Sequence, residues 1–394
     1  MISAARWART GALPVLLAQL VFCIVLLPPS AAARIPATHD IEDEDRCAAL
    51  TAVQLAGPFE YPWSIAFLPD HSILVTEKPG RLQLVRPGAG PLSVMGVPAV
   101  LHKGQGGLLD VAVDPAFSEN GIIYLSYAHG SEELSSVRVL RAKLDQSSNT
   151  LVDQRVIFES TPSASAEQLG GRIALTDDGH LFLTVGARWQ AKRAQELSDD
   201  AGKIIRIRTD GSVPQDNPFV SLPGAQRAIW SYGHRNPQGL TFDASGRLWS
   251  HEHGPLGGDE LNLIVSGRNY GWPVITHGLT YSGEKIGEGT EKEGMEQPIQ
   301  HWSPAIAPSG LAIQVADSTS FIWIGALADQ SLVMLEMKED HIVRERRCLQ
   351  KQLGRIRDVR IGPNGSLYII VDDAQGGLYR LDAAVEQARG SSPR

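Results

Sequence analysis

The chain has 394 residues, 43% hydrophobic and 20% charged, a balance that excludes a disordered chain and fits a folded one. Its net charge is -8, and no lysine or arginine run offers the basic face that a nucleic-acid partner needs. Glycine and proline number 39 and 24, which favours many tight turns and so many short strands.

Residues 1–33 read as a cleaved secretory signal. Arg6 and Arg9 make a positive start, residues 12–27 are apolar apart from Gln19, and Ser30-Ala31-Ala32-Ala33 is a small-residue cleavage site. The apolar run is short for a membrane span, which takes roughly 20 residues. Arg6 and Arg9 are not adjacent, so the signal is not of the twin-arginine type, and Phe22 before Cys23 does not suit a lipoprotein site. The mature chain is expected in the periplasm or outside the cell, with no stable membrane span. Cys47 and Cys348 survive cleavage near its two ends. An exported protein can hold them as a disulfide or as two separate buried thiols.

After an N-terminal segment, residues 34–50, one phrase recurs six times. LLDVAVDPAFSENGIIYLSY, GRIALTDDGHLFLTVG and IRDVRIGPNGSLYIIVDD are three of its copies. Each is an alternating apolar strand, a turn rich in Pro, Asp, Gly or Asn, and a second alternating strand. The first apolar anchors are Ile65, Val111, Ile173, Leu240, Leu311 and Val359, spaced 46 to 71 residues apart. Asp178-Gly179, Ser245-Gly246 and Asn364-Gly365 supply residues that tolerate positive φ, so the phrases are hairpins. Period-2 alternation predicts half-buried strands. A single hairpin cannot bury its own face. Six in series, each with room for about four strands, predict an all-β fold, a six-bladed β-propeller over residues 51–383 with a tail at 384–394. A pair of β-sandwiches is the alternative, and the even recurrence argues against it.

In a propeller the loops at one end of the blades converge on the axis. The unusual residues of this chain follow or precede the repeat strands. Gly104-Gln105-Gly106-Gly107 lets backbone approach a ligand, or is only a turn before a strand. It lacks the Lys-Ser/Thr ending of a phosphate loop. His234, Arg235 and Asn236 stand together before Pro237, and the planar fork of Arg235 suits carboxylates and oxyanions. His251 and His253 fall on one side of an extended strand, but no third ligand makes a convincing zinc site. The carbonyls of Gly254-Pro255 and the carboxylates of Asp259 and Glu260 suit calcium better, and a plain charged loop is equally compatible. Arg355 and Arg357 alternate and so point the same way, towards a polyanionic ligand or towards acids of their own sheet.

The motifs GQGGLLDVAVDP, YGHRNPQGL, EHGPLGGDELN, GRNYGWP, APSGLA and RIRDVR resemble the soluble quinoprotein glucose/sorbosone dehydrogenases, and among them the bacterial periplasmic aldose sugar dehydrogenases. The resemblance implies a six-bladed propeller that oxidises aldose sugars to lactones. It implies pyrroloquinoline quinone, a tricarboxylate, and calcium as cofactors. Gln105, Arg235, Asn236, Arg355 and Arg357 match residues that contact the quinone. Gly254 and Pro255 match the backbone ligands of its calcium, and Glu260 and Tyr270 match a second, structural calcium. Arg235 would also stabilise charge as hydride arrives. No Cys-x-x-Cys-His haem motif occurs, so electrons would leave to a separate acceptor.

Three positions depart from the family pattern. Gln168 stands where the resemblance expects the histidine that takes the proton of the sugar hydroxyl. A neutral amide cannot accept that proton. Ala328 stands in place of a quinone-binding lysine, and Ala187 in place of an acidic residue. Three readings follow. The first is an active dehydrogenase with a substitute base, Glu167 or His234. The second is a propeller that binds quinone or sugar without turnover. The third is a calcium-dependent hydrolase of the lactonase kind.

Overall fold

The computed structural model describes residue 47 and residues 49–316, 319–339 and 341–383. Residues 1–33, which the sequence reads as a signal, most of residues 34–50 and the tail 384–394 lie outside the described residues. Among these, the strands form six four-stranded antiparallel sheets, the six blades of a β-propeller. Five blades are consecutive in the chain. The sixth takes its three inner strands from the C-terminal end and its outermost strand, Leu50–Phe59, from the N-terminal end. That strand pairs antiparallel with Gly376–Ala383 and closes the ring. A disulfide joins Cys47, just before it, to Cys348, the last residue of the fifth blade's outer strand.

The innermost strands are Pro62–Phe67, Leu108–Val113, Gly170–Leu175, Pro237–Phe242, Pro308–Ala316 and Ile356–Ile361. Each contains one of the six apolar anchors. Each packs against the innermost strand of the next blade, and the last against the first. Each also has a register shift within its first few residues. Bulges of this kind turn a strand and re-aim its side chains. Here they stand around the axis at the end where the unusual residues gather.

The expectation of half-buried strands needs correcting for the second strand of several blades. His180–Val185 is buried on both faces. Leu181 and Leu183 pack towards the second blade, while Phe182 packs towards the fourth. A propeller blade is covered by a neighbour on each side, so alternation sorts residues between two apolar gaps rather than between core and water. Six apolar clusters result, one in each gap.

Charged side chains fill the middle of the axis. Asp110, Arg172 and Asp358 are all buried. Arg172 Nη1 lies 3.2 Å from a carboxylate oxygen of each aspartate. Arg360 bridges the same two carboxylates at 3.1 and 3.0 Å. The carboxylates also accept backbone N–H groups from neighbouring blades, Ile173 onto Asp110 at 2.7 Å and Ile65 onto Asp358 at 3.1 Å. The cluster ties four blades together. It separates a cavity of about 550 Å³ at one end of the axis from one of about 440 Å³ at the other.

Candidate active site

The larger cavity is lined by residues at or just before the starts of the inner strands. Trp63, Leu109, Gly170, Gln238, Ala307 and Arg357 contribute one residue from each blade. Its volume suits a small organic molecule. The Arg172 guanidinium lies beneath, 4.2 Å from the Trp63 ring centroid.

Arg355 and Arg357 reach this cavity side by side, as their alternation requires. Both bind Asp372, Arg355 Nη2 at 3.0 Å and Arg357 Nη2 at 2.7 Å. Burial alone would raise Asp372, but Arg357 and Arg355 hold its carboxyl below the usual range. Arg357 Nε is buried with no hydrogen-bond partner. A donor left open beside a cavity fits an acceptor on a ligand.

Three loops interlock to form one wall. Lys78 follows the second strand of the first blade, and its carbonyl accepts the Leu108 N–H at 3.0 Å. A side chain at Gly107 would meet that carbonyl at 2.3 Å, so only glycine allows the approach. The Gln105 N–H donates to the Ala166 carbonyl at 3.1 Å, and its Oε1 accepts the Gln168 N–H at 2.9 Å. Gln105, Lys78 and Leu169 line the cavity. Gln168 does not. Its side chain is buried, and its Oε1 accepts the Trp189 N–H at 3.1 Å. Glu167 is half-buried beside this wall, and burial raises its pKa against the opposing pull of Lys78. Buried Arg188 holds the loop from behind, donating to the carbonyls of Ser165 and Glu167 and to Ser135 Oγ.

Arg235 lies deeper, behind His253. Its Nη1 donates to the carbonyls of His253 and Gly254 at 3.0 and 2.9 Å, and Nη2 reaches the Tyr281 hydroxyl at 3.4 Å. Its Nε is buried and unpartnered. Exposed Trp189 and Tyr281 stack obliquely near it, 6.2 Å apart. Asn236 is buried and accepts from Gln238, which lines the cavity. Ala187 is buried, with its N–H on the Arg235 carbonyl at 2.8 Å.

The stretch 251–272 folds around Glu252 and Asp259. Glu252 accepts from His234 Nδ1 at 2.9 Å and from the Arg235 backbone N–H at 2.5 Å. His234 also pairs through Nε2 with Ser231 and is fully buried, so both ring nitrogens are engaged and neither is left to act as a substitute base. Asp259 accepts the N–H groups of Gly254, Ile306 and Ala307, each at 2.8 Å. Burial nonetheless pushes it up to about 6. His251 and His253 do face the same way, but towards the carbonyls of Gly310 and Pro308 in the fifth blade. Burial pulls them down to about 4 and about 3, so both are neutral donors. They join two blades and form no zinc pair. Among the described residues, no three His, Cys, Asp or Glu side chains form a metal-binding cluster.

A second, small cavity of about 10 Å³ is lined by Gly254, Glu252, Glu260 and Tyr270. Burial and the neighbouring Glu252 carboxylate push the Glu260 pKa up. Arg235 lines the same space but gives its Nη donors to the His253 and Gly254 carbonyls and the Tyr281 hydroxyl, so the two carboxylates fit a divalent ion. The Tyr270 hydroxyl is committed to the Leu263 carbonyl and the Val265 N–H. Pro255 is half-buried and lines neither cavity.

The structure thus brings Gln105, Arg355 and Arg357 to one cavity, and Gly254, Glu260 and Tyr270 to another, with Arg235 lining the second. Ala328 is exposed, and the lysine the main cavity holds is Lys78 from the first blade. Lys78 was not singled out in the sequence. Lys78, His253, Leu327 and Asp372 each directly follow a blade's second strand. Aligning the six repeats on that position points to it.

A family model described as glucose/sorbosone dehydrogenase matches residues 59–380. The aldose sugar dehydrogenase YliI of Escherichia coli is 40% identical over 340 residues, spanning 83% of this chain and 91% of that protein. The quinoprotein glucose dehydrogenase B of Acinetobacter calcoaceticus is 34% identical over 243 residues, spanning 54% and 50%. Two solved structures are similar throughout. The apo-form of the soluble aldose sugar dehydrogenase from Escherichia coli has a TM-score of 0.81 at 37% identity, covering 85% of this chain and 99% of that one. The PQQ-bound aldose sugar dehydrogenase from Streptomyces coelicolor has a TM-score of 0.73 at 28% identity, covering 84% and 97%. By motif, by fold and by similarity along most of its length, the chain belongs to the glucose/sorbosone dehydrogenase family.

Proposed function

We propose that this protein oxidises aldose sugars at the anomeric carbon, using pyrroloquinoline quinone and calcium, in the periplasm or outside the cell, and passes electrons to a separate acceptor. The observation that carries this reading is the pair Arg355–Arg357 converging on an axial cavity of about 550 Å³. When bound, the quinone supplies a two-electron acceptor and calcium supplies the positive charge that polarises it. Arg355, Arg357 and Gln105 would hold the quinone from the cavity wall, with Arg235 and Asn236 behind it. The carbonyls of Gly254 and Pro255 would hold its calcium. Gly254 now accepts from Arg235, so that guanidinium must share or release the oxygen when calcium binds. Glu260 and the main chain at Tyr270 would hold a second calcium.

The sugar must lose a hydride from C1 and a proton from its hydroxyl. Gln168 is a neutral amide and cannot take that proton, and its Oε1 already accepts the Trp189 N–H. Glu167 is the adjacent carboxylate, and its raised pKa makes it a better base than an ordinary glutamate at neutral pH. We assign it as the proton acceptor.

The engaged amide of Gln168 also favours a second reading, a propeller that binds quinone without turning over. Aldose-dependent dye reduction by the chain loaded with pyrroloquinoline quinone and calcium separates the two. Turnover that Glu167→Gln removes supports the dehydrogenase with Glu167 as base. Turnover that Glu167→Gln leaves intact sinks Glu167 and keeps the dehydrogenase. Turnover only in Gln168→His supports the binding propeller. Silence in all three, with no quinone bound, turns the question to calcium-dependent lactone hydrolysis.

A further inference from the structure

Lys78 differs from the other cations near the axial cavity. Arg355 and Arg357 are engaged by Asp372, and Arg235 by the carbonyls of His253 and Gly254. Among the described residues, Lys78 has no carboxylate at ion-pair distance. Its Nζ makes one hydrogen bond, 3.3 Å to the Gly104 carbonyl. An ammonium has three donors, so two are left for a ligand of the cavity that Lys78 lines. Burial and the nearby Arg357 lower its pKa, while Asp372 and Glu167 oppose them.

The position is built rather than incidental. The Lys78 N–H donates to the Tyr61 carbonyl at 3.1 Å, and its own carbonyl accepts from Leu108 across bare Gly107. This fixes the backbone from which the side chain extends. The wall near it carries Lys78, Arg355 and Arg357 against Asp372 and Asp373. Asp373 Oδ1 is occupied in its own turn, accepting the Gln375 N–H at 2.9 Å.

We propose that Lys78 is a binding residue for an anionic group of the cavity's ligand, a carboxylate held between the first and sixth blades. This rests on the reading of the cavity as a pyrroloquinoline quinone site. Lys78 would then pair with one of the three carboxylates of that molecule and complete a binding surface begun by Arg355 and Arg357. A group that binds ground state and transition state alike changes cofactor affinity rather than the chemical step.

The test is equilibrium binding of pyrroloquinoline quinone to the full chain with calcium, followed by quenching of tryptophan emission at low and high salt. Lys78→Gln keeps a donor for the Gly104 carbonyl and removes the charge. It should bind about tenfold more weakly or worse. Its salt dependence should be flatter, and its cofactor-free Tm should match that of the unmodified chain. Lys78→Arg should recover most of the affinity. Lys78→Gln binding as tightly as the unmodified chain overturns the role of Lys78 and leaves the cofactor site standing. An unmodified chain that does not bind the quinone overturns the cofactor reading and the role of Lys78 with it.

Discussion

The side-chain oxygen of Gln168 accepts the backbone N–H of Trp189 at 3.1 Å. Gln168, Arg188 and Trp189 all have positive φ, at 50°, 57° and 59°. Non-glycine residues in that region cost of order 1–3 kcal/mol each, and they persist where surrounding structure fixes them. The loops at 163–168 and 186–190 are thus locked together by Arg188 from one side and Gln168 from the other. The amide holds exposed Trp189 beside Arg235 and Tyr281, and being neutral it takes no proton from a sugar hydroxyl.

The family pattern, which expects a histidine at position 168, predicts a rescue. Glu167→Gln should lower kcat for aldose oxidation by about 10²- to 10⁴-fold, the usual worth of general-base help. Adding Gln168→His to that variant should restore much of the loss, because an imidazole titrates near neutrality and can accept a proton. Steady-state dye reduction on the four proteins measures it. A double variant as slow as Glu167→Gln alone would show that position 168 does not face the sugar hydroxyl.

The pH profile of kcat provides a second check. Glu167 must be ionised to act as a base, so the rate should fall on acidification. The groups facing it are Lys78, which favours the carboxylate, and Arg188, which donates to its backbone carbonyl. Burial dominates, so the midpoint should lie above that of an ordinary glutamate. Lys78→Gln should move it further up. A midpoint at or below the ordinary glutamate value would remove Glu167 from the mechanism.

Calcium should stabilise the chain through Glu260. Glu260 is half-buried in the small cavity it shares with Glu252, and burial and the Glu252 carboxylate push its pKa up. Arg235 on the same cavity donates to carbonyls rather than to it. At a calcium concentration a hundredfold above Kd, a single site adds about 2.7 kcal/mol to stability. Thermal unfolding with increasing calcium should show a rising Tm, and Glu260→Gln should remove most of that rise. An equal rise in Glu260→Gln would place the stabilising ion elsewhere.

Local periodicity carried most of this fold. Ile65, Val111, Ile173, Leu240, Leu311 and Val359 all lie in innermost strands because each sits at the same point of a repeated hairpin phrase. Arg355 and Arg357 were legible because alternate residues of one strand share a face. What the chain hides depends on closure of the ring. The two histidines at 251 and 253 show the right direction by spacing, but their partners are carbonyls more than 50 residues away in the next blade. Lys78 sits in Glu77-Lys78-Pro79-Gly80, which reads as a hairpin turn. Only the arrival of the second and sixth blades makes it a cavity residue. Burial on both faces of a strand is equally invisible to a two-state pattern of apolar and polar.

The disulfide should stabilise without touching the site. Cys47 and Cys348 are 301 residues apart, so their link restricts nearly the whole unfolded chain. It also fastens the closing strand Leu50–Phe59 to the fifth blade. Loss of a native disulfide typically costs about 2–5 kcal/mol. Cys47→Ser should lower Tm under non-reducing conditions, and reductant should bring the unmodified chain down to match. Quinone affinity measured well below either Tm should be equal in both.

Arg172 provides the sharpest test of what the axis needs. It is buried between Asp110 and Asp358, and only Arg360 would remain to offset both carboxylates without it. Removing one partner of a buried ion pair costs about 3–5 kcal/mol, because a charge is left uncompensated. Arg172→Met fills similar space and should still lose about that much, read as a lower denaturant midpoint with an unchanged slope. Arg172→Met combined with Asp110→Asn should recover part of the loss, since it removes one stranded charge. A single variant as stable as the unmodified chain would mean that packing alone holds the blades together and that the ionic plug serves the cavity above it.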